Sequence, residues 1–215
     1  MWGRALLPVH RAQLDGFFLA PSKLTCRLDL HSSMYLSSPS RTLFVERHTH
    51  PMPAITALLH TRNDALCLGR ALETLLPCDE IVVVDHGTHY ATRRIAREYG
   101  ARVVSANADI TPGQCLHLAR HDWILCLEPR ESLTEALVAS LFEWKAEWKP
   151  EAQSLREITA FAVLLREETP LGWQISPPSQ TRLVPRSWSR WQGLLPATEA
   201  SAITLEGALL RFIQP

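Results

Sequence analysis

Two carboxylates stand directly after apolar, strand-length runs, and their positions suggest a ligand site. Asp85 follows the run IVVV, and Glu128 follows the run WILCL. In open α/β sheets, ligands bind outside the carboxyl ends of the strands. We therefore expect Asp85 and Glu128 to lie at one edge of a sheet, beside a hollow that accepts a ligand. Two simpler interpretations stay open: Asp85 caps the following turn, and Glu128 is a solvated acid at a strand end.

The elements that must position these acids are predicted by alternating patterns between residues 55 and 131. Strand-length apolar runs alternate with amphipathic runs, which is typical of βαβ units and predicts an α/β fold with a mostly parallel central sheet. The predicted strands are residues 55–59, 81–84, 102–105 and 123–127. The predicted helices are residues 65–76, 91–99, 112–120 and 133–148.

Capping signals set the predicted helix starts. Asp64 is expected to open the first helix, and Thr111 with Pro112 forms an N-cap and N1 pair. Ser132 and Glu135 form an S-x-x-E capping box ahead of the last helix. Beyond that helix, residues 158–166 are predicted as an antiparallel or edge strand, 170–178 as a loop with two adjacent prolines, and 181–185 and 202–212 as weaker strands.

Charge and composition limit the classes of partner. The chain of 215 residues carries 22 basic and 22 acidic residues, and the basic residues form no long run. This balance gives no reason to expect a nucleic-acid partner. No apolar run approaches the ~20 residues that a membrane-spanning helix needs. Five cysteines without a C-x-x-C pair fit a reducing cytosol.

The first 51 residues differ from the remainder of the chain. They show no sustained helical or strand periodicity, and polar residues interrupt their short apolar runs. We expect residues 1–51 to form a poorly ordered N-terminal extension and residues 52–215 to form the α/β domain. Met52 lies just before the first predicted strand, so translation starting there is an alternative hypothesis.

Four motifs in order resemble the N-terminal half of family 2 glycosyltransferases. They are HTRND after the first strand, IVVVDHGT, REYGARVV and DWILCLEPRE, and the later run TRLVPRSWSRWQG resembles the branch that acts on lipopolysaccharide-type acceptors. The match is dense over residues 54–137 and weaker to about residue 193. The resemblance implies a Rossmann-like, three-layer GT-A fold with a shortened acceptor part. It also implies transfer of a sugar from a nucleotide-diphosphate donor to a glycan or lipid-linked acceptor, in the cytoplasm or at the inner face of the membrane.

The resemblance assigns roles to five positions. Thr61 and Asp64 fall in the loop that lines the nucleotide base, and Asp85 matches the acid that hydrogen-bonds the base or ribose. Glu128 and Arg130 occupy the two acid positions of the family's D-x-D motif. That motif implies a divalent metal, Mn²⁺ or Mg²⁺, of which Glu128 remains a candidate ligand, whereas an arginine cannot ligate metal.

Arg130 leaves two interpretations open. A guanidinium at this position can pair bidentately with a diphosphate and take over charge neutralisation. Alternatively, Arg130 is a surface residue that pairs with Glu128 or Glu131. The segment in which the resemblance implies a catalytic base reads Leu194, Leu195 and Pro196, so we assign no catalytic residue.

Other residues with chemical potential have weaker patterns. His117 and His121 are spaced i, i+4, which can present two ligands on one helix face, but no third ligand is evident. Trp188 and Trp191 are candidates for stacking on an acceptor sugar.

The sequence leaves two functions open: a glycosyltransferase, or a non-catalytic relative that binds a nucleotide or a partner. The sequence lacks the phosphate-binding glycine motifs that are typical of dinucleotide-binding and P-loop proteins, so we do not expect either class.

Overall fold

The computed structural model describes residues 52–87, 90–106, 110–148 and 160–213. The predicted N-terminal extension, residues 1–51, lies outside the described residues. Ten strands are described: β1 (Ile55–Thr61), β2 (Glu80–Asp85), β3 (Arg102–Ser105), β4 (Trp123–Leu127), β5 (Glu131–Leu133), β6 (Phe161–Thr169), β7 (Gly172–Pro185), β8 (Trp191–Gln192), β9 (Leu195–Pro196) and β10 (Ile203–Arg211). Four helices accompany them: α1 (Ala65–Glu73), α2 (Tyr90–Glu98), α3 (Pro112–Cys115) and α4 (Glu135–Glu147).

The central sheet has eight strands in the order β3-β2-β1-β4-β7-β6-β10-β5. Strands β3, β2, β1 and β4 are mutually parallel, and β6 is parallel to β10. The pairs β4–β7, β6–β7 and β10–β5 are antiparallel. Four of the seven pairs are therefore parallel, which confirms the predicted α/β class with a mostly parallel sheet.

The sheet is covered on both faces, so the domain has three layers. Apolar side chains of α1, α2 and α4 form one core with alternate residues of the strands, such as Leu59, Val83 and Leu125. The neighbouring residues Leu58 and Ile124 point to the other face, where they pack with residues of α3 and the turn after it. Because strand side chains alternate between faces, a strand covered on both sides becomes a continuous apolar run.

The predicted capping box at Ser132 is wrong. Ser132 lies in the short strand β5, and the N-cap of α4 is Thr134, whose hydroxyl accepts a hydrogen bond from the Leu137 N–H at 3.3 Å. The Thr134 hydroxyl also donates to the carbonyl oxygen of Ala208 at 3.0 Å. Contacts with β10 therefore select the second of two hydroxyl residues, which a local sequence pattern does not reveal.

The predicted loop over residues 170–178 is also wrong. Gly172 turns the chain with φ of 110°, and β7 then runs for 14 residues beside β6. Its two adjacent prolines, Pro177 and Pro178, lie where the register between β6 and β7 shifts. Ladder hydrogen bonds are interrupted at such a shift, so the backbone N–H that each proline lacks is not needed there. Strand β6 pairs with β7 in antiparallel orientation, which is one of the predicted alternatives. It lies between β7 and β10, so the edge alternative is wrong.

Helix α3 begins as predicted but ends early. The Thr111 hydroxyl accepts from the Gln114 N–H, and the Gln114 side chain accepts from the Thr111 N–H, which is a capping box. The helix ends at Cys115 and is followed by a single 3-10 turn over Leu116–Leu118. His117 and His121 therefore do not share one helix face.

Candidate active site

Three parallel strands end at the same edge of the sheet. Thr61 at the end of β1 is paired in register with Asp85 at the end of β2. On the other side of β1, Leu59 is paired with Leu127, which places Glu128 level with His60. The topology therefore brings the ends of β2, β1 and β4 together at the carboxyl edge, where ligands bind in sheets of this kind.

Asp85 lies beneath this edge and does not reach solvent. Its side chain is 1% exposed and forms an ion pair with Arg93, on the first turns of α2. Thr61 is equally buried, and its hydroxyl has no hydrogen-bond partner among the residues that the structure describes. The two side chains are adjacent, but neither lines the cavity described next.

A cavity of about 440 Å³ opens at the carboxyl edge of β1 and β4. Three residues of the predicted site line it: Asp64, Glu128 and Arg130. The other lining residues come from the end of β1, the end of β4 and the turn between β8 and β9: His60, Leu127, Pro129, Gln192, Gly193, Leu194 and Leu195. The structure thus brings one acid of the β1 loop and two residues of the D-x-D positions to a single hollow.

The short β8–β9 hairpin forms one wall of this cavity. Strands β8 and β9 are joined by a turn in which Gly193 has φ of 63°, a conformation that favours glycine. Trp188, a predicted sugar platform, is only 7% exposed and packs in the core, with the Arg190 guanidinium over its ring. Trp191 packs partly buried against the same core. The wall facing the cavity is therefore made by the hairpin turn and not by the two tryptophans.

Glu131 is the centre of a buried ion network beside the cavity. Its side chain is fully buried and receives the Arg182 Nη2 at 2.7 Å and the Arg211 Nη2 at 2.9 Å. The second carboxylate oxygen accepts the Glu128 backbone N–H at 3.0 Å. Among the described residues, Nε and Nη1 of Arg182 have no hydrogen-bond partner. Such a network is expensive to break, because removing one partner leaves a buried charge unpaired.

Glu128 is half-buried and already paired. Its Oε2 lies 3.2 Å from Nε of Arg211. Burial and the neighbouring carboxylate of Glu131 raise the pKa of Glu128 above its ordinary value. Its carboxylate therefore belongs to the network that Arg211 joins, although its side chain reaches the cavity.

Arg130 is exposed at the cavity rim, on a fixed backbone. The Glu131 N–H donates to the Glu128 carbonyl at 3.0 Å, and the Phe212 N–H donates to the Arg130 carbonyl at 3.1 Å. Pro129 beside it is buried. Both acids that were expected to pair with Arg130 pair with Arg211 instead. The turn is thus held in place while the guanidinium projects toward the cavity.

His60 is a cavity residue that sequence reasoning missed. Its Nδ1 lies 2.9 Å from Nε2 of His86, and its own Nε2 is buried without a partner in the described part of the chain. Burial, with a smaller effect of His86, lowers the pKa of His60 to about 4. His60 is therefore neutral at physiological pH. Its position as the first residue of HTRND, at the carboxyl end of an apolar strand, is the signal that could have identified it.

The carboxylates of this edge do not fit a divalent metal ion. Asp85 is held by Arg93, Glu128 by Arg211, and Glu131 by Arg182 and Arg211. In the ranges that the structure covers, His, Cys, Asp and Glu side chains form no group of three that could hold a metal. A hard cation requires several free oxygen ligands. Asp64 is a single acid, and each of the other three would have to lose an arginine before it could bind a metal.

A second, larger cavity lies at the opposite edge of the sheet. It has a volume of about 580 Å³ and is lined by residues at or just before the starts of β2, β3 and β4, including Glu80, Arg102 and Arg120. Glu80 pairs with Arg102 at 2.9 Å and accepts the Arg120 N–H at 2.9 Å.

Within the described ranges, no helix is long and apolar enough to cross a membrane.

No protein-family model and no curated protein matches the chain. Solved structures that are similar in part include glucosyl-3-phosphoglycerate synthase from Mycobacterium tuberculosis in complex with Mn²⁺, UDP and glucosyl-3-phosphoglycerate, at 18% identity and a TM-score of 0.39, covering 54% of this chain and 43% of that one. TarS of S. aureus is 13% identical, with a TM-score of 0.42 over 63% of this chain and 29% of that one. A mycobacterial protein is 14% identical, with a TM-score of 0.49 over 75% and 65%. The chain thus spans less than half the length of the first two structures.

Proposed function

We propose that this chain is a GT-A-type glycosyltransferase whose carboxyl-edge cavity binds a nucleotide-diphosphate sugar. The observation that carries the proposal is the convergence of Asp64, Glu128 and Arg130 on one cavity where parallel strands end. The motif order of family 2 glycosyltransferases supports the same function. The cavity volume, about 440 Å³, lies in the range of small-molecule sites.

In this proposal, different lining residues contact different parts of the donor. Arg130 supplies a cation for the diphosphate, and Asp64 supplies a carboxylate for hydroxyl groups of the ribose or sugar. The Asp64 carboxylate is oriented by the Arg62 N–H, which donates to its Oδ2 at 2.7 Å. Asp85 and Thr61, which lie beneath the edge, contribute by shaping the floor of the site and not by direct contact.

In the proposed reaction, an acceptor hydroxyl oxygen forms a bond to the anomeric carbon, and the hydroxyl proton passes to solvent water. The bond from that carbon to the diphosphate breaks, and its electron pair goes to the phosphate oxygen. Lowering the cost of charge on this leaving group is the largest task of such a site. Arg130 is placed to meet it. The acceptor is a glycan or a lipid-linked sugar, as the family resemblance implies.

A non-catalytic nucleotide-binding relative is the second candidate function. It is favoured by the pairing of Asp85, Glu128 and Glu131 with arginines, which leaves those acids committed to the fold. Turnover distinguishes the two functions. Release of free sugar or UDP from a UDP-sugar, with or without a glycan acceptor, supports the transferase, whereas binding without turnover supports the relative.

A thermal-shift panel of nucleotides and UDP-sugars tests the binding step that both functions share. A ligand at 100 times its Kd stabilises the native state by about 2.7 kcal/mol, which raises the melting temperature by a few degrees. Asp64→Asn should reduce this shift. The control is Asp122→Asn, because Asp122 is exposed at the opposite edge and pairs with Arg186. A shift that is absent in wild type, or equal in both variants, would refute the proposed site.

A further inference from the structure

Of the acids beside the cavity, Glu128 and Glu131 are not free to bind a cation, which leaves Asp64 as a single candidate ligand. Glu131 is fully buried, and its two oxygens take hydrogen bonds from Arg182, Arg211 and the Glu128 backbone. Glu128 shares Arg211 with it. A metal ion would have to displace Arg211 from both acids. Half-buried Arg211 would then keep Glu167 alone of its three acidic partners, at 2.7 Å from its Nη1.

Arg130 is the cation of this rim that is not used by the fold. In the described ranges, its side chain takes part in no ion pair, whereas Arg182 and Arg211 nearby are engaged with acids. Its backbone is fixed by the hydrogen bonds at Glu128 and Phe212, so the guanidinium is carried on a rigid turn. A charge that is positioned in advance loses less freedom when a ligand binds.

The chemistry of this group matches a diphosphate. A guanidinium presents paired N–H donors in a planar fork, and it binds phosphate oxygens bidentately through charge-assisted hydrogen bonds. Asp64 lies on the same cavity and is unsuited to phosphate because of its negative charge. A diphosphate in the cavity is therefore expected to lie on the Arg130 side, with the hydroxyl-bearing part of the ligand toward Asp64.

Resting on the proposed function, we propose that Arg130 replaces a divalent metal as the group that binds and neutralises the donor diphosphate, so that donor binding is independent of metal. The Arg130 guanidinium donates hydrogen bonds to the diphosphate oxygens and offsets their negative charge. The ion network of Glu131 serves to hold the turn that carries Arg130.

Calorimetric titration of UDP-glucose tests this inference. The protein is titrated in EDTA and in excess MnCl₂, as wild type, Arg130→Ala and Arg130→Lys. We expect the wild-type Kd to agree within about twofold between the two buffers. Loss of one charged hydrogen-bonding group should raise the Kd of Arg130→Ala by roughly 10- to 150-fold in EDTA. Arg130→Lys should lie between them, because lysine keeps the charge and loses the fork.

Arg94→Ala is the matched control. Arg94 is also exposed and lies on α2, where it faces Glu98 one turn away, so its removal changes net charge equally without altering the cavity. Equal weakening by Arg94→Ala and Arg130→Ala would overturn the inference, as would an unchanged Kd in Arg130→Ala. Binding that EDTA abolishes and Mn²⁺ restores would overturn it too, while leaving the proposed cavity intact. Absence of nucleotide binding in wild type under both conditions would overturn both proposals.

Discussion

The buried histidine of the cavity makes the stability of the domain depend on pH. The pKa of His60 is lowered from 6.5 to about 4 in the folded chain, first by burial and then by the positive charge that His86 can carry. Above pH 6.5 the imidazole is neutral in both the folded and the unfolded state. Between pH 6.5 and about 4 the unfolded chain binds a proton that the folded chain does not, so stability is lost as pH falls through this window.

The size of this loss follows from the difference between the two pKa values. One pKa unit corresponds to 1.36 kcal/mol, so the complete effect is about 3 kcal/mol. The single-site linkage relation gives a loss of roughly 1.4 kcal/mol at pH 5.5 and about 2.5 kcal/mol at pH 4.5. Three other charged or titratable groups share the cavity with His60: Asp64, Glu128 and Arg130. Their own contributions are present in wild type and variant alike.

Urea unfolding, followed by the fluorescence of the chain's seven tryptophans, measures the effect at pH 7.5, 5.5 and 4.5. His60→Asn keeps a polar atom near His86 but does not titrate. The difference between its free energy of unfolding and that of wild type should shift in favour of the variant's folded state as pH falls, by about 2.5 kcal/mol at pH 4.5. His117→Phe, which replaces an exposed histidine, should follow the wild-type curve. A difference between His60→Asn and wild type that does not vary with pH would refute the reasoning.

Four further substitutions, the last of them a control, test the packing that supports the cavity. Glu131→Ala should lower the free energy of unfolding by about 3–5 kcal/mol, because it leaves Arg182 buried and unpaired; a loss below ~1 kcal/mol would contradict the network. Gly207→Ala should prevent folding or lower the melting temperature sharply, since φ is 93° and a Cβ would lie 2.3 Å from a backbone nitrogen of α4. Thr134→Ala should cost about 1 kcal/mol, as loss of an N-cap does, whereas Ser132→Ala should cost clearly less; the reverse order would restore the predicted capping box.

Strands β1 to β4 could be predicted from the sequence because each is marked by a local apolar run. The apolar run before Asp85 and the run before Glu128 are long enough to fix both strands and their ends. The parallel arrangement then brings the two ends to one edge. Burial of Asp85 is not contained in that pattern, because it depends on the ion pair with Arg93 of α2.

The charge network of the site could not be predicted from the sequence, since its partners are distant along the chain. Arg182 is 51 residues from Glu131, and Arg211 is 80 residues from it. Only the antiparallel pairing of β10 with β5 and the placement of β7 bring these groups together. For the same reason, a pairing of Arg130 with Glu128 or Glu131 is plausible from sequence, although both acids pair with Arg211 in the fold.

The contact between His60 and His86 shows the same limit at shorter range. His60 lies in β1, in register with Val84 of β2, and His86 is the first residue after the end of β2. The pairing register of β1 and β2 therefore decides that the imidazoles meet. A pattern that fixes each strand but not their relative register does not reveal this contact.

The carboxyl-edge cavity is proposed to bind a nucleotide-diphosphate sugar without metal. Chemical-shift mapping of backbone amides during a titration with UDP-glucose tests this binding, because it locates the ligand without requiring turnover. We expect the largest shifts at Asp64, Arg130 and Gly193, around the carboxyl-edge cavity, and we expect them to persist in EDTA. Shifts confined to the opposite cavity, near Arg102 and Arg120, or no shifts at all, would contradict the account.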